Sequence, residues 1–99
     1  MRISVESSGT FAGGKVPVAL VDTAQINPTD ARRVEESVRN LGFFNLAPNV
    51  TPDIVGADIP QYDITITDGS RQHTVTFKEG DDSSIAALKK FVEMLSQVR

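Results

Sequence analysis

The chain has 99 residues, with 10 basic and 13 acidic side chains, one histidine, no cysteine and a formal net charge of −3. The length predicts one domain, residues 1–99. The acidic balance argues against sequence-independent nucleic-acid binding, and the lack of cysteine excludes disulfides and cysteine-ligated zinc. The longest apolar run is too short to cross a bilayer, and no signal peptide is visible. Because small exported domains usually carry disulfides, we expect a cytoplasmic protein.

The N-terminal part of the chain predicts two strands joined by a glycine-rich loop. Ile3 and Val5 alternate with polar residues, which is typical of a half-buried strand. The loop covers residues 7–14, and the second strand covers residues 15–22. Alternate residues of this strand place three apolar side chains on one face: Val16, Val18 and Leu20. Because Pro17 has no N–H to donate, we expect this strand at a sheet edge or bulged at the proline.

A helix is predicted between Pro28 and Gly42. Asn27 suits the N-cap, Pro28 the first helical position and Gly42 the C-terminal cap. Its apolar stripe has spacings of three and four residues: Ala31, Val34, Val38 and Leu41. The next apolar residues are expected core contacts: Phe43, Phe44 and Leu46. Residues 47–60 contain three prolines and no periodicity, so they predict a long loop, a feature that is often functional.

The C-terminal part predicts a β-hairpin and a second helix. Its two strands have alternating apolar residues: Tyr62, Ile64 and Ile66, then His73, Val75 and Phe77. Asp68-Gly69 is a strong turn signal between them. After an acidic connection, residues 79–82, a helix capped by Asp82 or Ser83 has its own apolar stripe: Ile85, Leu88, Val92 and Leu95. The order ββαββα indicates an α+β fold, a four-stranded, mainly antiparallel sheet with two helices packed on one face.

Signals of catalysis are incomplete. Residues 9–15 match the first part of a phosphate-binding loop, but Val16 stands where the magnesium-binding Ser or Thr is needed, and a strand follows in place of a helix. His73 shares the inward face with Val75, which favours a structural histidine with a backbone partner. We therefore predict that the protein is not an enzyme, has no catalytic residues and no metal of its own, and needs no cofactor.

Several short motifs, taken in their order and spacing, resemble the emfourin family. They are Ser8-Gly9-x-Phe11-Ala12-Gly13, Val21-Asp22, Gly42-Phe43-Phe44-x-Leu46, Asp58, Gln61-Tyr62-x-Ile64-Thr65-Ile66 and Asp68-Gly69-x-Arg71-x-His73-Thr74-Val75. The resemblance covers nearly the whole chain. It implies a small bacterial protein inhibitor of protealysin-like proteases, which are zinc metalloproteases of the thermolysin family. Thr10 and Pro60 depart from the pattern, where a glycine and an aromatic residue are expected.

The resemblance implies a protease-binding surface made of loops. If consecutive elements run up and down, the loops 7–14, 47–60 and 79–82 meet at one end of the domain. A thermolysin-like site offers a zinc with an open position and an adjacent hydrophobic pocket, which a carboxylate and an apolar side chain can occupy. The expected protease contacts are Gly9, Thr10, Phe11, Ala12, Gly13, Asp58, Asp53 and Asp22.

Two choices within this surface remain open from the sequence. Phe11 either folds back onto the sheet or is offered to a partner. Among the carboxylates, Asp58 is preferred as the zinc contact because it matches the family pattern and directly precedes the third strand. Asp53 lies outside the pattern. Asp22 matches it but is expected at the end opposite Phe11.

The alternative to an inhibitor is a non-inhibitory interaction module that binds a peptide or partner at its loops or sheet edge. Strand addition is the expected mode for such a module, although Pro17 counts against free augmentation at its edge. The expected partner remains a thermolysin-family metalloprotease, without nucleic acid or membrane, and we expect a monomer.

Overall fold

The computed structural model of the chain describes residues 1–8, 16–50, 61–78 and 83–98. These residues form the predicted order ββαββα. The strands are β1 (Arg2–Ser8), β2 (Val16–Asp22), β3 (Gln61–Asp68) and β4 (Arg71–Lys78), and the helices are α1 (Pro28–Leu41) and α2 (Ser83–Gln97). A 3-10 helix, Phe43–Asn45, follows α1 after Gly42, whose φ of 61° provides the predicted C-terminal cap.

The four strands form one sheet in the order β2-β1-β3-β4, with every neighbouring pair antiparallel. The predicted α+β fold is therefore confirmed. β2 is an edge strand, and its register with β1 shifts between Val5 and Glu6, where Glu6 faces Pro17. Both features expected from the proline are present, because an edge and a bulge are the places where a sheet tolerates a missing N–H.

The register gives the sheet two distinct ends. The loop end is defined by four neighbouring residues: Val16, Ser8, Gln61 and Lys78. The hairpin end is defined by Asp22, Arg2, Asp68 and Arg71. Because each residue of a strand advances about 3.4 Å, the two ends lie about 20 Å apart.

One apolar cluster fills the space between the sheet and the helices. The sheet contributes Ile3, Val5, Val21, Ile64, Ile66, Val75 and Phe77, and the helical segments contribute Val34, Val38, Phe43, Ile85, Leu88, Phe91, Val92 and Leu95. The predicted stripe of α2 is buried in full. In α1 only the middle two residues of the stripe are fully buried, and Ala31 and Leu41 are half-buried.

The apolar face predicted for β2 is not part of the core. Val16, Val18 and Leu20 are 50%, 37% and 74% exposed, whereas Val21 is 4% exposed. The pairing explains the difference. Val21 faces Ile3 on the helix-covered side, and Leu20 faces Ser4 on the opposite side of the sheet.

The simple up-and-down path is wrong for the segment after α1. Phe44 already contacts Arg71 at the hairpin end, so α1 does not carry the chain to the loop end. Residues 43–50, which we call the β4 strap, run along β4 from the hairpin end toward the loop end. The strap ends in an isolated parallel bridge between Asn49 and Thr76. The predicted loop 47–60 therefore begins with residues that are paired to the sheet.

Candidate functional site

The sequence-predicted contact residues fall into two groups. Seven of them lie outside the described residues: Gly9, Thr10, Phe11, Ala12, Gly13, Asp53 and Asp58. The eighth, Asp22, is the last residue of β2 and lies at the hairpin end. The structure therefore locates one predicted contact directly, and for the others it gives the positions of the flanking residues.

Asp22 is engaged in local contacts. Its Oδ1 accepts a hydrogen bond of 3.0 Å from the backbone N–H of Ala24, and its Oδ2 lies 3.8 Å from the guanidinium of Arg2. These contacts fix the turn that follows β2, as a short carboxylate side chain commonly does. Asp22 thus has a structural role, and about 20 Å of sheet separates it from the loop end.

The flanking residues of the stretches 9–15 and 51–60 meet at or near the loop end. Ser8 pairs with Gln61 across β1 and β3, and Ser7 pairs with Val16 across β1 and β2. At the β4 edge of the sheet, Val50 donates its N–H to the carbonyl of Thr76 at 3.0 Å. The chain that enters and leaves both stretches is therefore held by the sheet.

The stretch 79–82 is flanked at the same end on one side. Lys78, the last residue of β4, pairs with Gln61, and α2 begins at Ser83. The loop end therefore gathers flanking residues of all three predicted loops. The sequence suggested this grouping of loops at one end. The chain reaches the stretch 51–60 through the β4 strap, however, and not directly from α1.

The β4 strap is held by side chains as well as by backbone hydrogen bonds. His73 Nε2 lies 2.8 Å from the carbonyl oxygen of Leu46, and its ring centroid lies 5.7 Å from that of Phe43. The predicted role of a structural histidine with a backbone partner is confirmed. Farther along the strap, Thr76 donates its N–H to Pro48 at 2.8 Å. These contacts set where the chain enters residues 51–60.

A cation–π contact holds the first part of the β4 strap at the hairpin end. The Cζ atom of Arg71 lies 4.3 Å from the centroid of the Phe44 ring, and the Arg71 guanidinium bonds Asp68 at 3.0 Å. Sequence reasoning missed this cluster, although its members belong to two motifs of the family pattern that lie far apart in the chain. The contact therefore brings two motifs of the family pattern together at the hairpin end.

On the sheet face away from the helices, β3 and β4 carry polar side chains, whereas β2 carries the exposed Val16, Val18 and Leu20. Thr76 Oγ1 donates a 2.7 Å hydrogen bond to Asp63 Oδ1, and the hydroxyls of Thr65 and Thr74 are 2.9 Å apart. Within residues 1–8, 16–50, 61–78 and 83–98, no group of three or more His, Asp or Glu side chains is placed to hold a metal ion. Neither described helix is long and apolar enough to span a membrane.

The strap contact gives a stability prediction. His73→Ala removes the partner of the Leu46 carbonyl and the ring beside Phe43, so we expect a loss of about 1–3 kcal/mol in the free energy of unfolding. Urea denaturation measures this loss. The adjacent exposed Gln72 provides the control, and Gln72→Ala is expected to change stability by less than about 0.5 kcal/mol. Equal effects at both positions would mean that His73 does not hold the strap.

A comparison with protein families identifies the family of the chain. A family model described as Emfourin matches residues 5–93, which include α1, most of α2 and most of the sheet. No curated protein and no solved structure gives a significant match. Since the family match extends over most of the sequence and the described elements, the chain belongs to the Emfourin family, and this membership points to a protease inhibitor.

Proposed function

We propose that this protein inhibits a protealysin-like zinc metalloprotease of the thermolysin family by blocking the active site with two loops. Residues 1–99 act as a single inhibitor domain in the bacterial cytoplasm. The observation that carries the choice of surface is the register at the loop end, where Ser8 pairs with Gln61. This pair ties the glycine-rich stretch and the proline-containing stretch to adjacent strands.

Chain length keeps the two key side chains near this pair. Phe11 follows Ser8 by three residues and Asp58 precedes Gln61 by three residues. Because an extended chain spans at most about 3.6 Å per residue, each Cα lies within about 11 Å of its anchor. An aromatic side chain and a carboxylate are thus tethered to neighbouring points of a rigid sheet, as a two-loop contact requires.

The chemistry of the contact follows from the target site. A catalytic zinc keeps one position for water or substrate, and an aspartate oxygen binds zinc at about 2.0–2.2 Å. Asp58 takes this position, while Phe11 fills the neighbouring apolar pocket. Together they exclude substrate and the catalytic water. The inhibitor backbone does not cross the zinc as a scissile peptide would, so the inhibitor remains uncut.

The geometry of the described residues supports Asp58 over Asp22. Asp22 lies at the hairpin end, with one carboxylate oxygen bonded to Ala24. If Phe11 and a zinc-binding carboxylate act in one cleft, both must come from the same end of the sheet. The stretch 51–60, which contains Asp53 and Asp58, is flanked at or near the loop end by Val50 and Gln61. Of the two carboxylates, only Asp58 matches the family pattern.

Incubation with a protealysin-like protease and a peptide substrate tests the proposal. We expect activity to fall in proportion to added inhibitor and to vanish near a one-to-one ratio, with the inhibitor intact on a gel. A serine protease serves as the control and should keep its activity. Full metalloprotease activity at excess inhibitor, across several enzymes of this type, would contradict the proposal.

A further inference from the structure

The outer edge of β2 is unlike an ordinary edge strand. β2 is the first strand in the sheet order, so no other strand among the described residues pairs with its outer edge. It carries the large apolar side chains that are exposed in the described part of the chain: Val16, Val18 and Leu20. Residues 16–21 contain no charged residue. Edge strands normally carry charges that prevent pairing with another chain, and this edge has none before Asp22.

The opposite edge of the sheet is different. The β4 strap covers part of β4, because Thr76 exchanges backbone hydrogen bonds with Pro48 and Val50. The two ends of β4 are charged, with Arg71 at one and Lys78 at the other. The fold thus protects one edge by covering and charge, and leaves the other edge apolar.

Backbone geometry defines which N–H and C=O groups of β2 point outward and can pair with another strand. Thr23 donates its N–H to Met1 of the β1 side at 2.9 Å. Because N–H groups alternate in direction along an antiparallel strand, Val21 points its backbone groups toward β1, and Leu20 and Asp22 point theirs outward. Pro17 and the bulge beside it limit regular pairing on the N-terminal side. The usable edge is therefore residues 18–22.

We propose that β2 pairs antiparallel with β2 of a second copy of this chain, with Leu20 facing Leu20 on the two-fold axis. This register buries the most exposed apolar side chain against its copy and places Val18 opposite Asp22. The two Asp22 side chains then lie about 14 Å apart along the strands, beyond the Debye length of about 10 Å at 0.1 M salt. A register shifted by one residue would halve that distance and set Leu20 against a carboxylate.

The dimer has a defined shape. The two-fold axis stands perpendicular to the sheet, so eight strands form one continuous sheet and all four helices lie on one face. Because the two β2 strands are antiparallel, the two loop ends point in opposite directions and both stay free. An interface of one short strand is smaller than the about 1,200 Å² of stable complexes, so we expect association in the micromolar range or weaker. The proposed dimer differs from the monomer expected from the sequence.

Cysteine cross-linking tests the register. The natural chain has no cysteine, so Leu20→Cys introduces one thiol on the proposed axis. Facing residues of a hydrogen-bonded pair have Cα atoms about 5.5 Å apart, within reach of a disulfide or a short thiol cross-linker. Gln72→Cys, which is exposed on β4, is the matched control. We expect Leu20→Cys to cross-link about tenfold faster, because the dimer raises the effective thiol concentration. Equal rates would overturn the proposal.

Sedimentation equilibrium of the cysteine-free protein gives the second readout. We expect the average mass to rise toward that of a dimer at millimolar concentration, and the Leu20→Lys variant to remain monomeric. A natural protein that is monomeric at millimolar concentration would overturn the proposal. If in that case Leu20→Lys also weakens inhibition, the edge of β2 is occupied by the protease and not by a second copy.

Discussion

Replacing Phe11 with alanine is expected to weaken inhibition about 30-fold while the unfolding temperature stays nearly unchanged. An aromatic anchor buried in a partner's pocket typically contributes about 2 kcal/mol or more, and 1.4 kcal/mol corresponds to a factor of ten. Phe11 lies among glycines at positions 9, 13 and 14, which offer no side chains to pack against it. The inhibition constant of the variant, measured against a protealysin-like protease, gives the affinity loss, and thermal unfolding gives the stability.

Phe44→Ala is the matched aromatic control for Phe11→Ala. Phe44 is half-buried at the hairpin end, where it packs against Phe43 and Arg71. Its removal is expected to lower the unfolding temperature and to leave the affinity of the folded protein unchanged. The reverse pattern, in which Phe11→Ala lowers stability and does not affect inhibition, would show that Phe11 packs on the sheet and is not an anchor.

Asp58→Asn is expected to weaken inhibition about 100-fold with the fold intact. Asparagine has nearly the shape of aspartate but no charge, and loss of one partner of a desolvated charge pair costs about 2–5 kcal/mol. The carboxylate faces a divalent cation in the proposed complex, so the charge is the property that matters. The measurement is the inhibition constant of the variant, with circular dichroism as the check on folding.

Asp53→Asn is the control for Asp58→Asn, because both residues belong to the same stretch and lie three residues from a sheet anchor. We expect a much smaller effect at Asp53. Small and equal effects at both positions would remove the zinc contact from this stretch. Asp22→Asn would then be the next variant, and a strong effect there would move the protease to the hairpin end.

The fold was predictable because its main signals are local. The stripe of α2 and the alternation in β3 identify buried faces directly, and Pro17 restricts β2 to an edge or bulge. The face of β2 was not predictable in the same way. Apolar residues occupy both faces of this strand, so its sequence does not show which face is buried. The pairing of Val21 with Ile3 puts Val21, and not Leu20, on the buried face.

The β4 strap depends on contacts that no local pattern reveals. Arg71 and Phe44 are far apart in sequence, and a cation–π contact leaves no periodic signal. Similarly, the hydrogen bond between His73 and Leu46 requires the strap to lie beside β4. The orientation of His73 was predictable because it alternates in step with Val75 and Phe77 along the strand. The identity of its hydrogen-bond partner was not predictable.

The candidate site was predictable only in part. Composition and motifs argue against catalysis, but the choice of a protease as partner comes from the family, because a loop that contacts a protein has no fixed spacing of chemical groups. The structure adds the position of Asp22 at the hairpin end and the meeting of Ser8 with Gln61 at the loop end. Those two positions are the basis on which we propose that Asp58, and not Asp22, acts together with Phe11.

The claim that the loop end occupies the protease active site is tested most directly by hydrogen–deuterium exchange. Backbone exchange of the inhibitor is measured alone and with an equimolar amount of a protealysin-like protease. We predict that protection on binding is concentrated in residues 9–15 and 51–60, while residues 23–27 and 68–71 at the hairpin end exchange as in the free protein. Protection confined to the hairpin end, with residues 9–15 unchanged, would contradict the claim.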